Sequence, residues 1–163
     1  MLNQNINTFM SCDKNMAEAT TILFGAPFDS TTSYRPGTRF ASAAIRQESY
    51  GIETYSPYQD KDLEDIKVLD TGDLELCFGS SKKALDQITE YTKEILDARK
   101  RPFMIGGEHL VTLGAFRAVH AFFPEVQILH FDAHADLRQE YLGVELSHAC
   151  VLRRCWELTG DLM

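Results

Sequence analysis

The sequence contains no apolar run long enough to span a bilayer. Its start, Met1 to Asn15, is polar and lacks the basic-then-apolar layout of an export signal. Cysteine is scarce: Cys12, Cys77, Cys150 and Cys155 are the four, none in Cys-x-x-Cys spacing or paired with histidine at ligand spacing, which argues against a zinc–thiolate site. Without an export signal these are expected as reduced thiols that serve packing in a cytoplasmic protein. Positive charge is also short. Sixteen Lys and Arg face 24 Asp and Glu, a net charge of −8. That balance disfavours nucleic acid and anionic membranes as partners and suits a small cationic substrate. No repeat, low-complexity stretch or linker interrupts the 163 residues. One domain over 1–163 is expected, with a polar, mobile N-terminus over 1–18.

What is present alternates between two kinds of segment. Thr20–Phe24 reads as a buried strand closed by Gly25-Ala26-Pro27. A loop from Phe28 to Thr38 follows, and Thr38 is placed to cap a helix running to Ser49. Ile52–Asp65 reads as a second loop. Ile66–Leu69 reads as a strand that stops at Asp70-Thr71-Gly72-Asp73. Ala84, Leu85, Ile88, Tyr91, Ile95 and Leu96 recur at helical spacing, with Ser81 as the expected cap and Pro102 beyond the far end. A strand Phe103–Ile105, a helix Leu110–Phe122, a strand Val126–Phe131 and a helix His148–Leu158 capped by Ser147 complete the order. Strands alternating with helices predict an α/β fold with a mainly parallel sheet covered on both faces. Ligands in such folds gather beyond the carboxyl ends of the strands.

Two motifs fall at those ends. One is His130-Phe131-Asp132-Ala133-His134-Ala135-Asp136, and the other is Gly106-Gly107-Glu108-His109. Carboxylate and imidazole donors suit a divalent ion such as Mn²⁺. His109, Asp132, His134 and Asp136 are therefore the candidate ligands. His130 shares their alternate parity but lies inside the expected strand, where a buried, hydrogen-bonded histidine is the simpler reading. His148, near the start of the last helix, could serve proton transfer or capping. His120 has no assigned role. Asp60-Lys61-Asp62 sits in a charged run with no apolar strand leading into it and reads as solvated loop, and Arg153-Arg154 reads as a solvated helix face.

In this order, the motifs Gly25-Ala26-Pro27-Phe28-Asp29, Tyr34-Arg35-Pro36-Gly37-Thr38-Arg39, Gly106-Gly107-Glu108-His109 and Asp132-Ala133-His134-Ala135-Asp136 resemble the ureohydrolase (arginase/agmatinase) family. The resemblance runs from Thr20 to Leu158. It implies a three-layer α/β/α fold and a site for two Mn²⁺ ions. By position, His109 and Asp136 resemble ligands of the first ion, His134 a ligand of the second and Asp132 a bridge. His148 is similar to the family's proton-shuttling histidine. Glu108 and the Leu137-Arg138 pair lean toward agmatinase-like members. The implied reaction is hydrolysis of a guanidino compound, foremost agmatine to putrescine and urea, by a homo-oligomer in polyamine biosynthesis.

The family pattern also carries a later Asp-x-Asp metal motif, and nothing after Asp136 matches it. The expectation is thus of the N-terminal part of the family domain, with a sheet edge left uncovered. An inactive, truncated ureohydrolase fragment is the alternative, as are members acting on arginine, guanidinobutyrate or formimidoglutamate. A deacetylase using one zinc ion is a third reading, against which Gly106-Gly107-Glu108-His109 speaks.

Overall fold

The computed structural model describes residues 7–160 together with the strand at residues 2–3. Positions 1 and 4–6 of the polar N-terminal stretch lie outside the described residues. In chain order the elements are β1 (Leu2–Asn3), β2 (Thr21–Ala26), α1 (Ala41–Ser49), β3 (Tyr55–Ser56), β4 (Lys61–Asp62), β5 (Val68–Leu74), α2 (Ser81–Asp97), β6 (Arg101–Gly106), α3 (Val111–Phe122) and α4 (Val151–Thr159). The main sheet has the order β1-β5-β2-β6. β2 runs parallel to both β5 and β6, and β1 joins the far edge antiparallel. β3 and β4 form a separate small ribbon inside the expected loop Ile52–Asp65.

Alternation along β2 sends its side chains to two faces. Ile22, Phe24 and Ala26 join a core with Leu85, Ile88, Leu113, Phe116, Val151 and Cys155, contributed by α2, α3 and α4. Leu23 faces the other way, toward Cys12 and Val68. α1 covers that second face, where its Arg46 reaches β5. Three layers result, as the residue pattern implies. From Phe9 the N-terminal segment is docked: the Phe9 amide donates to Asp70 Oδ2 at 2.8 Å, and the Asp70 amide to the Cys12 carbonyl at 2.8 Å. The four cysteines are free thiols, with Cys12, Cys150 and Cys155 buried. Burial pushes the Cys12 thiol up to about 11 and the Cys155 thiol up to about 12, which keeps both protonated.

Several expectations from the sequence are corrected. The strand expected to stop at Asp70 continues to Leu74 through a bulge: Leu23 pairs with Asp70, but Gly25 pairs with Asp73. Gly72, at φ 86°, supplies the left-handed residue this requires. The extra residue puts Asp70 and Asp73 on the same face, and both are taken by Arg46. Its Nε and Nη2 donate to Asp70 at 2.7 and 2.9 Å, and its Nη1 donates to Asp73 at 2.5 Å. Asp70 and Asp73 are therefore held with Arg46 in a largely buried ionic knot. Val126–Phe131 is not a strand. It has no sheet partner among the described residues, and Leu129 and Phe131 lie exposed. Its apolar character was legible, but a strand also needs a neighbour to hydrogen-bond. The outer edge of β6 is likewise unpaired among the described residues, with Phe103 60% exposed. Pro102 lies within β6 on that edge, where a missing amide donor costs no ladder bond. Caps also shift. Ser80, not Ser81, caps α2 by accepting from the Lys83 amide at 3.3 Å. Thr38 opens a short 3₁₀ turn instead of α1, and Ser147 donates to Cys150 Sγ instead of capping a helix.

One close approach fixes where the functional loops sit. Gly107, just past β6, packs on the backbone of Phe28, just past β2. A Cβ at position 107 would fall 2.1 Å from the Phe28 carbonyl oxygen. The Glu108 amide donates to that same oxygen at 2.7 Å. The two strand-end loops are thus pinned together by main chain.

Three outcomes are expected for denaturant unfolding. Arg46→Met strands the buried Asp70 carboxylate and the partly buried Asp73 one and is expected to cost about 3–5 kcal/mol. Lys82→Ala, which removes an exposed helical pair with Asp86, is expected to cost less than about 0.5 kcal/mol. Equal losses in the two variants would refute the buried-knot account. Gly107→Ala forces main chain apart and is expected to cost about 1–3 kcal/mol, read as a lowered unfolding midpoint.

Candidate metal centre

The candidate donors come from two loops. His109 lies two residues before α3, just after the pinned Gly107. Asp132 and Asp136 belong to the irregular segment between α3 and α4. Asp136 adopts a left-handed backbone, φ 49°. This geometry turns its carbonyl onto the start of α4, where it accepts from the Leu152 and Arg153 amides at 3.1 and 3.3 Å. The free donors of the helix end are satisfied this way, and the Asp136 side chain is left to face His109. His109 Nδ1 stands 2.7 Å from Asp136 Oδ2 and 3.6 Å from Asp132 Oδ2.

His109, His130, Asp132 and Asp136 each offer one atom to a cluster whose members all lie within 4.8 Å of one another. Donors bound about 2.1 Å from one ion stand roughly 3–4.3 Å apart, so the cluster fits a divalent ion after small adjustments. His130 was expected as a satisfied core histidine. It is instead half-buried and stacked on His109 at 5.2 Å between ring centroids. Its Nε2 is buried with no hydrogen-bond partner among the described residues, and lies 3.6 Å from Asp132 Oδ2. An orphaned imidazole nitrogen beside a carboxylate is what an ion would satisfy. The sequence signal for His130 was its parity with Asp132, which the expected strand had masked. His134 is not in the cluster. Its side chain is 80% exposed, with Nδ1 3.4 Å from Asp132 Oδ1. The main-chain amide of His134 donates to that same oxygen at 2.9 Å. This bond leads the effects that hold the Asp132 carboxyl below its ordinary value, and nearby histidines add to them.

The cluster opens into a cleft of about 880 Å³ lined by Ser33, Tyr34, Glu108, His109, Asp132, His134, Asp136, Tyr141 and His148, among others. The wall opposite the donors is the loop after β2. Asp29, buried at its root, accepts from the Gly37 amide at 2.7 Å and from Arg39 Nε at 2.6 Å. The Arg39 guanidinium holds the Asp29 carboxyl below the usual range. His148 is half-buried against this wall, edge-on to Tyr141. Its Nδ1 lies 2.9 Å from the Thr31 carbonyl and its Nε2 3.4 Å from Ser33 Oγ. Glu108 is buried beneath. Burial pushes its carboxyl up, and hydrogen bonds from Thr31 pull against that shift. Asp60 and Asp62 lie far along the chain in the β3–β4 ribbon and do not join this cleft. Among the described residues no helix is long and apolar enough to cross a membrane.

Comparison with known proteins agrees with this architecture. The chain is 46% identical over 152 residues to the agmatinase of Bacillus subtilis strain 168, covering 93% of this chain and 52% of that protein. It is 41% identical over 139 residues to the N(1)-aminopropylagmatine ureohydrolase of Thermococcus kodakarensis, covering 84% of this chain and 47% of that protein. The crystal structure of the agmatine ureohydrolase of Thermoplasma volcanium superposes with a TM-score of 0.89 at 33% identity, over 98% of this chain and 53% of that one. The chain thus spans about half the length of the relatives it matches. Its residues 19–161 match the arginase family, and with the three-layer fold and sequence identities above 40% the chain belongs to that family.

Proposed function

We propose that this chain carries the metal-holding and proton-relaying part of a manganese-dependent amidinohydrolase that splits agmatine into putrescine and urea. The observation that carries the reading is the convergence of His109, His130, Asp132 and Asp136, three of which, His109, Asp132 and Asp136, line the same cleft as His148. Oxygen and imidazole donors without thiolate suit manganese. His109, His130, Asp132 and Asp136 would hold one ion. His134, at the mouth beside Asp132, is the residue from which a second would draw a ligand. Divalent charge, when bound, supplies the acidity that makes water a nucleophile near neutral pH.

The chain's own residues do the rest. Acidic groups at the cleft favour a dicationic substrate such as agmatine over a neutral one. Water adds to the guanidinium carbon, and the bond to the alkyl-bearing nitrogen breaks. That nitrogen leaves as a neutral amine only if it receives a proton, and His148 Nε2 is the atom assigned to take up the proton that the adding water gives up and to pass it on. The names of the relatives support this substrate class. The Thermococcus relative makes N(1)-aminopropylagmatine the first competitor to test.

A second reading has one observation in its favour. His134 is turned to solvent, and the donor cluster is built from four side chains. A chain that holds one ion without turnover would show the same arrangement.

Metal analysis and a urea assay separate the two. Removing metal with a chelator is expected to abolish urea release from agmatine, and Mn²⁺ to restore it. Asp136→Asn is expected to weaken manganese binding by at least about tenfold. His148→Asn is expected to lower kcat by about 10²–10⁴-fold with bound manganese unchanged. Manganese bound without urea from agmatine, N(1)-aminopropylagmatine, arginine or guanidinobutyrate would leave only the second reading. Failure to bind manganese at all would remove both.

A further inference from the structure

Glu108 is a buried acid in the cleft that contributes nothing to the donor cluster, and its contacts run in the opposite direction, toward His148. The carboxylate accepts from the Thr31 amide at 2.7 Å and from the Thr31 hydroxyl. Because that hydroxyl gives its proton to Glu108, its oxygen is free to accept, and it does so from the His148 main-chain amide at 3.2 Å. The Thr31 carbonyl lies 2.9 Å from His148 Nδ1. A carbonyl oxygen can only accept, so Nδ1 must carry the proton. Neutral His148 then has its lone pair on Nε2, near Ser33 Oγ in the cleft. Thr31 therefore binds His148 twice, through its hydroxyl and its carbonyl, and Glu108 binds Thr31 twice while its own Oε2 stands 3.9 Å from His148 Nδ1.

We infer that Glu108 is a positioning residue that acts through Thr31 to fix the ring tautomer of His148, with the proton on Nδ1 and Nε2 open to the cleft. Thr31 stands in an irregular loop, where the peptide carrying its carbonyl is held by one turn bond, from the Thr32 amide to the Asp29 carbonyl at 3.2 Å. Two further bonds, from the Thr31 amide and hydroxyl to the Glu108 carboxylate, anchor the residue from its other end, and Glu108 is itself pinned because its amide is tied to Phe28, three residues before Thr31. Without Glu108 only the Thr32–Asp29 turn bond holds this peptide, the Thr31 carbonyl shifts away from Nδ1, and the tautomer is less strictly dictated. A shared proton-relay role for His148 rests on the function proposed above, but the tautomer itself does not.

The experiment reads the two separately. Nitrogen-15 NMR of the histidine rings distinguishes the tautomers directly in the metal-free chain at a pH where His148 is neutral. The native chain is expected to show protonated Nδ1 at His148. Glu108→Ala and the near-isosteric Thr31→Val are both expected to shift His148 toward a mixture containing protonated Nε2, and Glu108→Gln, which keeps an acceptor oxygen, to retain most of the native signal. Urea assays are expected to show kcat falling by up to roughly 10²-fold in Glu108→Ala and Thr31→Val, with KM within about twofold and partial recovery in Glu108→Gln. Protonated Nε2 in the native chain would overturn the inference. So would an unchanged tautomer in a folded Thr31→Val or Glu108→Ala chain. If no urea is released by any form, the proposed function falls and the NMR result still decides the role of Glu108.

Discussion

The contact on which the site depends is the one between Gly107 and the backbone of Phe28. β2 and β6 are neighbours in register, so their ends emerge side by side. Adjacent strands lie about 4.8 Å apart, which alone would leave the loops beyond them free to splay. Gly107 removes the last side chain in the way, and the Glu108 amide closes the gap with a bond to the Phe28 carbonyl. His109 is the next residue on one loop, and Thr31 lies three residues further on the other. His109 and the loop that bears on His148 are therefore positioned from the same point, although the residues involved are spread from 29 to 148.

The other half of the cluster is held by a different device. Asp132 and Asp136 lie on irregular chain, where side-chain positions are ordinarily loose. Two main-chain arrangements tighten them. The Asp136 carbonyl stands in for the missing cap of α4, so the first turn of that helix and the direction of the Asp136 carboxylate are set together. Asp132 accepts from the His134 amide, which closes a local turn and sends the His134 ring outward. The consequence is an asymmetric centre. Its inner side, with His109 and His130 stacked, is partly dry. Its outer side, with Asp132 and His134, is wet.

Much of the architecture was legible because it rests on local periodicity. α2 and α3 bury the stripes their spacing announces, and β2 divides its side chains between two cores as alternation requires. What stayed hidden was non-local. Nothing in Asp70-Thr71-Gly72-Asp73 reveals that Arg46, on another element, will claim both carboxylates; a bulge at Gly72 had to place them on one face first. Val126–Phe131 carries the composition of a strand, but composition cannot supply the neighbouring backbone. Because the segment is irregular, His130 is half-buried beside His109, and the turn closed on Asp132 carries the His134 ring to the mouth of the cleft.

The distribution of charge gives the same division of labour between the two faces of the sheet. On the α1 face, the carboxylates of Asp70 and Asp73 are neutralised by Arg46 and fully committed, which leaves them no capacity for a ligand. At the root of the cleft Asp29 is committed to Arg39 in the same way. Asp132 and Asp136, by contrast, have no Lys or Arg partner, and are approached only by imidazoles. Two carboxylates brought together without a guanidinium or ammonium repel each other unless a cation intervenes. Arginine serves Asp29, Asp70 and Asp73, and Thr31 serves Glu108, whereas the Asp132–Asp136 pair is left to histidine among the described residues, which is the charge pattern the proposed ion would complete.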